Sequence, residues 1–526
     1  MQITGKNIIG SMFSATGKET FNAVNPATGE KLPGLFHLIT ADEASAVAAK
    51  ATAAFKIYSK KTAEEKAVFL ETIADEILAV GDELLNRAIQ ESGLPLARLT
   101  GERGRTMMQL KMFAQLLREG SWVDARIDTA IPDRQPLPKP DLRSMLVPLG
   151  PVMVFGASNF PFAYSAAGGD TASALAAGCP VIVKAHPLHP GTDELVAQAI
   201  ISAANKTNMP DGVFSLVFSN EAVAIQLVKD NAIKAIGFTG SRKGGMAIFN
   251  AAVNRPEPIP VYAEMSAVNP VILLPGAVAA NAAGIAQGFA ASVSMGVGQF
   301  CTNPGLVFMV DDDNAKTFLQ SLATHIETIA PATMLSKNIC AAYADGVERL
   351  KASATLATES TAVADAAKTE AVPYIFTVTQ KDFLANKNLS AEVFGPASVI
   401  VLCKDADGII EVLQNAEGQL TATVHAAADE KHLPAIVELM KEKAGRILFG
   451  GFPTGVEVCD AMVHGGPFPA TTDARTTSVG TAAILRFVRP VAYQNFPQHL
   501  LPDELKNNNP NNILRILNGV SGRAAI

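Results

Sequence analysis

The chain lacks the cysteine pattern of a disulfide or zinc framework. Its five cysteines, at 179, 301, 340, 403 and 459, are scattered, odd in number and free of CxxC spacing. They point to a reducing, cytoplasmic compartment. Eight histidines show no HExxH pattern, so no metal is expected. Basic runs and aromatic-interleaved basic patches are also missing. With 43 basic against 50 acidic residues the net charge is −7, which argues against nucleic acid as a partner. The first residues, Met1-Gln2-Ile3-Thr4-Gly5-Lys6, contain no apolar run, and no signal peptide is expected. There is no internal repeat.

Charge is absent over one long stretch. From Met265 to Val310 there is no Asp, Glu, Lys, Arg or His. Pro270, Pro275, Asn269, Asn281, Gln287 and many glycines interrupt it, so it reads as the buried middle of a globular domain and not as a membrane span. Inside it stands Gly298-Gln299-Phe300-Cys301-Thr302-Asn303-Pro304-Gly305. A cysteine in apolar surroundings is ordinarily a small core residue. Here a glycine-rich turn can bring backbone N–H groups to the sulfur, and a lone acid, Glu264, opens the same segment. Together they mark Cys301 as a nucleophile.

With 526 residues the chain has room for two or three domains. Residues 20–35 read as strand, turn, strand, and 41–119 as helices, with Thr62 as an N-cap and a last helix from Gly101 to Glu119. Prolines at 132, 136, 138 and 140 make 126–142 an extended arm. From Ser144 onward, apolar runs at 152–155, 181–183, 213–218 and 235–238 alternate with helices, one of them near 163–177. That alternation predicts a parallel sheet covered on both faces, with ligands beyond its carboxyl edge. A second α/β region runs from Glu264 to about 450. The segment 486–493 reads as an exposed strand in need of a partner, and the asparagine-rich tail as loop.

Several separated motifs then combine: Asn25-Pro26-Ala27-Thr28-Gly29, Ser158-Asn159-Phe160-Pro161, Val183-Lys184, Phe238-Thr239-Gly240-Ser241, Glu264, Gly298-Gln299-Phe300-Cys301 and Glu392-Val393-Phe394-Gly395-Pro396. In this order they resemble the aldehyde dehydrogenase superfamily over nearly the whole chain. Lys184–Thr192, Glu264-Met265-Ser266-Ala267 and His464–Thr471 resemble, within it, the enzymes that oxidise 2-oxoglutarate semialdehyde and the related NADP-dependent fatty aldehyde dehydrogenases.

The resemblance implies an α/β fold with a Rossmann-like cofactor domain (1–125 and 146–262), a catalytic domain (263–480) and a β oligomerisation arm (126–145 and 481–505). It implies that Cys301 attacks the aldehyde, that Asn159 and the Cys301 N–H hold the oxyanion, and that Glu264 activates the hydrolytic water. Burial is expected to raise the Glu264 pKa. Gly240 and Ser241 would cradle the pyrophosphate at a helix N-terminus, and Glu392 and Phe394 would meet the nicotinamide riboside.

The position that is acidic in NAD-preferring members is Pro187 here, so Lys184 and Arg242 are free to meet a 2′-phosphate, and both NADP and NAD are expected. Arg103 or Arg105 is the candidate cation for a substrate carboxylate, with Phe160 and Phe468 as further substrate contacts. A homodimer or homotetramer without membrane attachment is expected. A thiol hydrolase or acyltransferase is the rival class. It is disfavoured because such enzymes pair Cys with His and no His lies in the segment around Cys301.

Overall fold

The computed structural model describes residues 1–526, the side chain of Ala366 excepted. The four apolar runs form the expected parallel strands Val152–Phe155, Val181–Lys184, Phe214–Val217 and Ala235–Thr239, and Val261–Glu264 adds a fifth. Such runs carry no polar alternation because helices cover both sides. The order across the sheet is 261–264, 235–239, 152–155, 181–184, 214–217. The N-terminal hairpin Asn7–Ile9 and Met12–Ser14 completes it antiparallel, an addition the sequence reading missed. The winding reverses between Val152–Phe155 and Ala235–Thr239. The chain leaves both strands at the same edge, which opens a crevice between Gly156–Phe160 and Gly240-Ser241.

Four helices, Ala41–Tyr58, Ala63–Val80, Asp82–Ser92 and Leu96–Glu119, fill the region read as helical. Thr40 with Glu43 and Thr62 with Glu65 close full capping boxes at the first two. Phe69, Leu70, Ile73 and Phe113 pack them into one core with the first sheet. The helix near 163–177 is shorter than read, Gly169–Ala177. Residues 158–168 instead make tight turns that carry Asn159 and Phe160 to the crevice.

The second sheet orders its strands Thr355–Glu359, Tyr374–Thr379, Ala397–Cys403, Leu306–Val310, Val271–Leu273, Gln419–His425, Ala444–Phe449. All pairs are parallel except the first. The uncharged segment supplies Val271–Leu273, the helix Pro275–Ser294 and Leu306–Val310. Among the described residues no helix is long and apolar enough to cross a membrane.

A third sheet corrects two expectations. Val488–Gln494 finds its partner within the chain, antiparallel to Leu142–Pro148 with Val488 opposite Pro148 and Gln494 opposite Leu142. The tail is not all loop. Arg515–Leu517 and Val520–Gly522 form a hairpin beside Arg126–Asp128, turning at Asn518-Gly519, both at positive φ.

Candidate active site

Glu264 ends the edge strand of the first sheet and is fixed from both sides. Its carbonyl accepts from the Gly240 N–H (3.1 Å), and the next N–H, of Met265, donates to Ala470 (2.7 Å). The segment 464–478 is thereby laid against the carboxylate. His464 Nε2 lies 2.9 Å from Glu264 Oε1, and the Ser478 hydroxyl donates to Oε2 at 2.9 Å.

Cys301 comes from the second sheet's side of the crevice. Three successive residues, Gly296 (φ 54°), Val297 (φ 57°) and Gly298 (φ 65°), turn the chain left-handed just before it. A Cβ on Gly298 would meet the Gly395 carbonyl at 2.3 Å, so glycine is what lets the 392–396 loop close on the cysteine turn. Asn269 pins that turn from below. Its amide donates to the Cys301 and Asn303 carbonyls (2.9 and 3.0 Å), and its oxygen accepts from Thr421. The Cys301 N–H has no protein partner among the described residues. The sulfur sits 3.5 Å from His464 Nε2.

Burial pushes the Cys301 thiol well above its ordinary value, the Glu264 charge adds to this, and Arg105 opposes it. Glu264 departs from expectation. Burial does raise it, but the His464 charge and hydrogen bonds from His464, Ser478 and Cys301 outweigh that, and the carboxyl lies below its usual range. The correction follows from groups that only the folded chain assembles.

Cys301 opens onto two cavities. The first, about 420 Å³, is lined by Ser158, Asn159, Thr239, Gly240, Ser241, Glu264, Glu392 and Phe394. Asn159 is buried there, with one amide N–H given to the Gln299 carbonyl (3.0 Å). Ser241 caps the helix Arg242–Val253. Ser266 and Ser241 occupy the N–H groups of Arg242 and Gly244, while those of Ser241 and Lys243 carry no protein partner among the described residues. Burial raises Glu392 to about 7, partly offset by the Ser266 hydroxyl and the Ala267 N–H. A helix N-terminus, an acid and an aromatic ring in one cavity beside Cys301 suit a nicotinamide dinucleotide.

Lys184 ends its strand without an ion-pair partner among the described residues, and Pro187 is exposed in the turn that follows. Arg242 is not free: it pairs with Glu417 at 3.0 Å, 5.3 Å from the Phe468 ring centre. Phe468 therefore belongs to this outer rim and lines neither cavity at Cys301, contrary to its reading as a substrate contact.

The second cavity, about 350 Å³, is lined by Arg98, Arg105, Phe160, Tyr164, Phe300, Cys301 and Thr302, among others. Arg105 Nη2 donates to the Tyr164 hydroxyl (3.4 Å), and its Nε and Nη1 are buried without a partner. Arg98 lies over the Phe160 and Phe300 rings at 4.4 and 4.7 Å and pairs with Glu102 at 3.3 Å. Arg103 does not share this cavity. It donates to the Gly81 carbonyl, because residues 103 and 105 stand on different faces of one helix.

Sequence reasoning missed Arg98, Ser478 and Asn269. The segment around Cys301 holds no histidine, as read from the sequence, but the fold brings His464 from a distant segment to the sulfur. Only the motif around His464 was visible, since catalytic partners need not be neighbours in the chain. Gly168 is closely enclosed, because a Cβ there would meet the Ala163 carbonyl oxygen at 2.6 Å. Behind Glu264 a cavity of about 20 Å³, lined by Asp170, His464, Ser478 and Arg486, has room for one water.

Similarity to known proteins agrees with this arrangement. The chain is 50% identical over 524 residues to alpha-ketoglutaric semialdehyde dehydrogenase 2 of Azospirillum brasilense, covering 99% of both chains. It is 47% identical over 520 residues to the alpha-ketoglutaric semialdehyde dehydrogenase of Acinetobacter baylyi, covering 98% of each. The fold matches NADP-dependent glyceraldehyde-3-phosphate dehydrogenase from Bacillus halodurans, solved with NADP, at a TM-score of 0.80 and 19% identity over 94% of this chain and 99% of that one. Residues 13–466 match the aldehyde dehydrogenase family, and the chain belongs to that family.

Proposed function

We propose that this enzyme oxidises 2-oxoglutarate semialdehyde to 2-oxoglutarate, with NADP or NAD as acceptor. The observation that carries the reading is Arg105, which lines the cavity that ends at Cys301 and carries two buried nitrogens, Nε and Nη1, without a partner. A buried cation with free donors calls for an anion, and the carboxylate of a short oxo-acid supplies one. The names of the two full-length relatives support the same substrate. A long uncharged chain, the alternative, would leave both donors unpaired.

In this reading Glu264, ionised and within reach of the thiol, accepts the Cys301 proton as sulfur attacks the aldehyde carbon. The free Cys301 N–H and the second Asn159 amide hydrogen take the oxyanion. A nicotinamide dinucleotide held in the first cavity would supply the hydride acceptor. Glu264, once it has released the thiol proton to solvent, removes a proton from the water that cleaves the thioester, with His464 and Ser478 holding the carboxylate in place. Lys184, Gly240, Ser241, Glu392 and Phe394 would hold the dinucleotide. Pro187 offers no acid against a 2′-phosphate, while Arg242 is already paired with Glu417, so both cofactors are used. The enzyme works in the cytoplasm as a dimer or a dimer of dimers.

The test is Arg105→Met. The KM for 2-oxoglutarate semialdehyde is expected to rise roughly tenfold or more, since a hydrogen bond to a charged group contributes about 1.5–3 kcal/mol. An uncharged aldehyde of equal length should be unaffected. Equal losses on both substrates, or a wild-type preference for long uncharged aldehydes, would overturn the reading.

A further inference from the structure

Cys301, His464 and Glu264 present a thiol sulfur, an imidazole nitrogen and a carboxylate oxygen within 4.8 Å of one another. These are the three commonest kinds of zinc ligand. In a tetrahedral site with Zn–S about 2.3 Å and Zn–N about 2.0–2.1 Å, the sulfur and nitrogen stand about 3.5 Å apart. Cys301 Sγ and His464 Nε2 are 3.5 Å apart. The nitrogen and a carboxylate oxygen stand about 3.3 Å apart in the same geometry, against 2.9 Å for His464 Nε2 and Glu264 Oε1. A retreat of the carboxylate by about 0.4 Å brings that pair to the tetrahedral separation, and the sulfur and the carboxylate oxygen lie within 4.8 Å of each other. Both cavities reach the sulfur, so water can fill the fourth position.

We propose that this triad is a reversible inhibitory site for a thiophilic divalent cation such as Zn²⁺. The ion displaces the Cys301 thiol proton to solvent, forms Zn–S, Zn–N and Zn–O bonds, and changes no oxidation state. One event removes both the nucleophile and the base of the reaction. The ion is an inhibitor and takes no part in turnover. The absence of ligand spacing in the sequence does not bear on such a site, because its members come from three segments brought together at the crevice. A cysteine of ordinary surroundings would bind such ions singly and weakly. Here two further ligands are already aimed at the same point, and all three lie at or beneath the cavity floor.

Cobalt(II) reports the site without aldehyde or cofactor, so the outcome is separate from the substrate reading. Titrating the full chain with Co²⁺ is expected to give one equivalent with a thiolate-to-metal charge-transfer band and the visible absorption of a tetrahedral ion. Zn²⁺ should displace it and inhibit turnover, and a chelator should restore activity. Cys301→Ser should abolish the band, and His464→Phe should weaken binding by roughly tenfold or more. Circular dichroism melting of both variants confirms that they are folded. The proposal is overturned if wild type gives no thiolate band or if His464→Phe binds like wild type. It is equally overturned if the band survives Cys301→Ser, which would assign the metal to exposed Cys459 or half-buried Cys340.

Discussion

At Cys301 two effects pull in opposite directions. Burial and the neighbouring carboxylate keep the proton on sulfur, while Arg105 favours its loss. The carboxylate therefore acts twice: it accepts the thiol proton during attack, and before attack its charge disfavours the free thiolate. Glu264→Gln separates the two. Removing the negative charge removes the repulsion that raises the thiol, so the midpoint of Cys301 alkylation by iodoacetamide should move to lower pH. Turnover should nevertheless fall, with a burst of reduced cofactor followed by slow release, because the thioester loses its base. A midpoint that moves up, or a burst that vanishes, would mean that Glu264 serves chiefly to activate the thiol. Cys301 and Glu264 could be read from sequence because each sits in a local signal, a glycine turn and a strand end. His464 and Ser478 could not, since their contacts with these two span 163 and 214 positions and depend on how the 464–478 segment folds back. The sign of the Glu264 shift was lost for the same reason: burial could be inferred locally, its hydrogen-bond donors could not.

The element that joins the two halves of the site is the turn Gly296–Gly298. Valine at φ 57° in its middle is held there only by the surrounding structure. Gly298→Ala imposes two burdens, the positive φ and a Cβ at 2.3 Å from the Gly395 backbone. The second has no flexible side chain to move aside, so the 392–396 loop must shift away and carry Glu392 and Phe394 with it. Gly81→Ala is the matched control, with a φ of +70° and nothing within 4 Å of the added carbon. Both variants should lose about 1–3 kcal/mol of stability, read as a lowered melting temperature. Only Gly298→Ala should also raise the KM for the dinucleotide and lower kcat. Normal kinetics in a destabilised Gly298→Ala would show that the loop is positioned by other contacts.

Across the whole molecule, the strand runs and the long helices were legible because burial on both faces leaves uninterrupted apolar stretches and because capping residues mark helix starts. The short hairpins at 7–14 and 515–522 were not, since three-residue strands of mixed polarity have no period to detect. The pairing of 142–148 with 488–494 was likewise hidden, as it joins segments 340 and more positions apart. That pairing changes the argument for assembly without removing it. The two segments satisfy each other on one side, and the outer edge of Val488–Gln494 stays open. Ala444–Phe449 is another sheet edge, and it exposes Ile447 at 38% and Phe449 at 66%. Unpaired edges carrying exposed apolar side chains are avoided in stable monomers, so a second copy is expected to cover them. Light scattering at micromolar concentration should therefore give the mass of a dimer or a dimer of dimers. Phe449→Glu places a charge where an apolar contact is expected and should weaken association by roughly thirtyfold or more, as loss of a hot spot costs about 2 kcal/mol. Its circular dichroism should match wild type, because the side chain is mostly exposed within its own chain. A monomeric wild type, or a Phe449→Glu variant that assembles unchanged, would place the contact elsewhere or remove it.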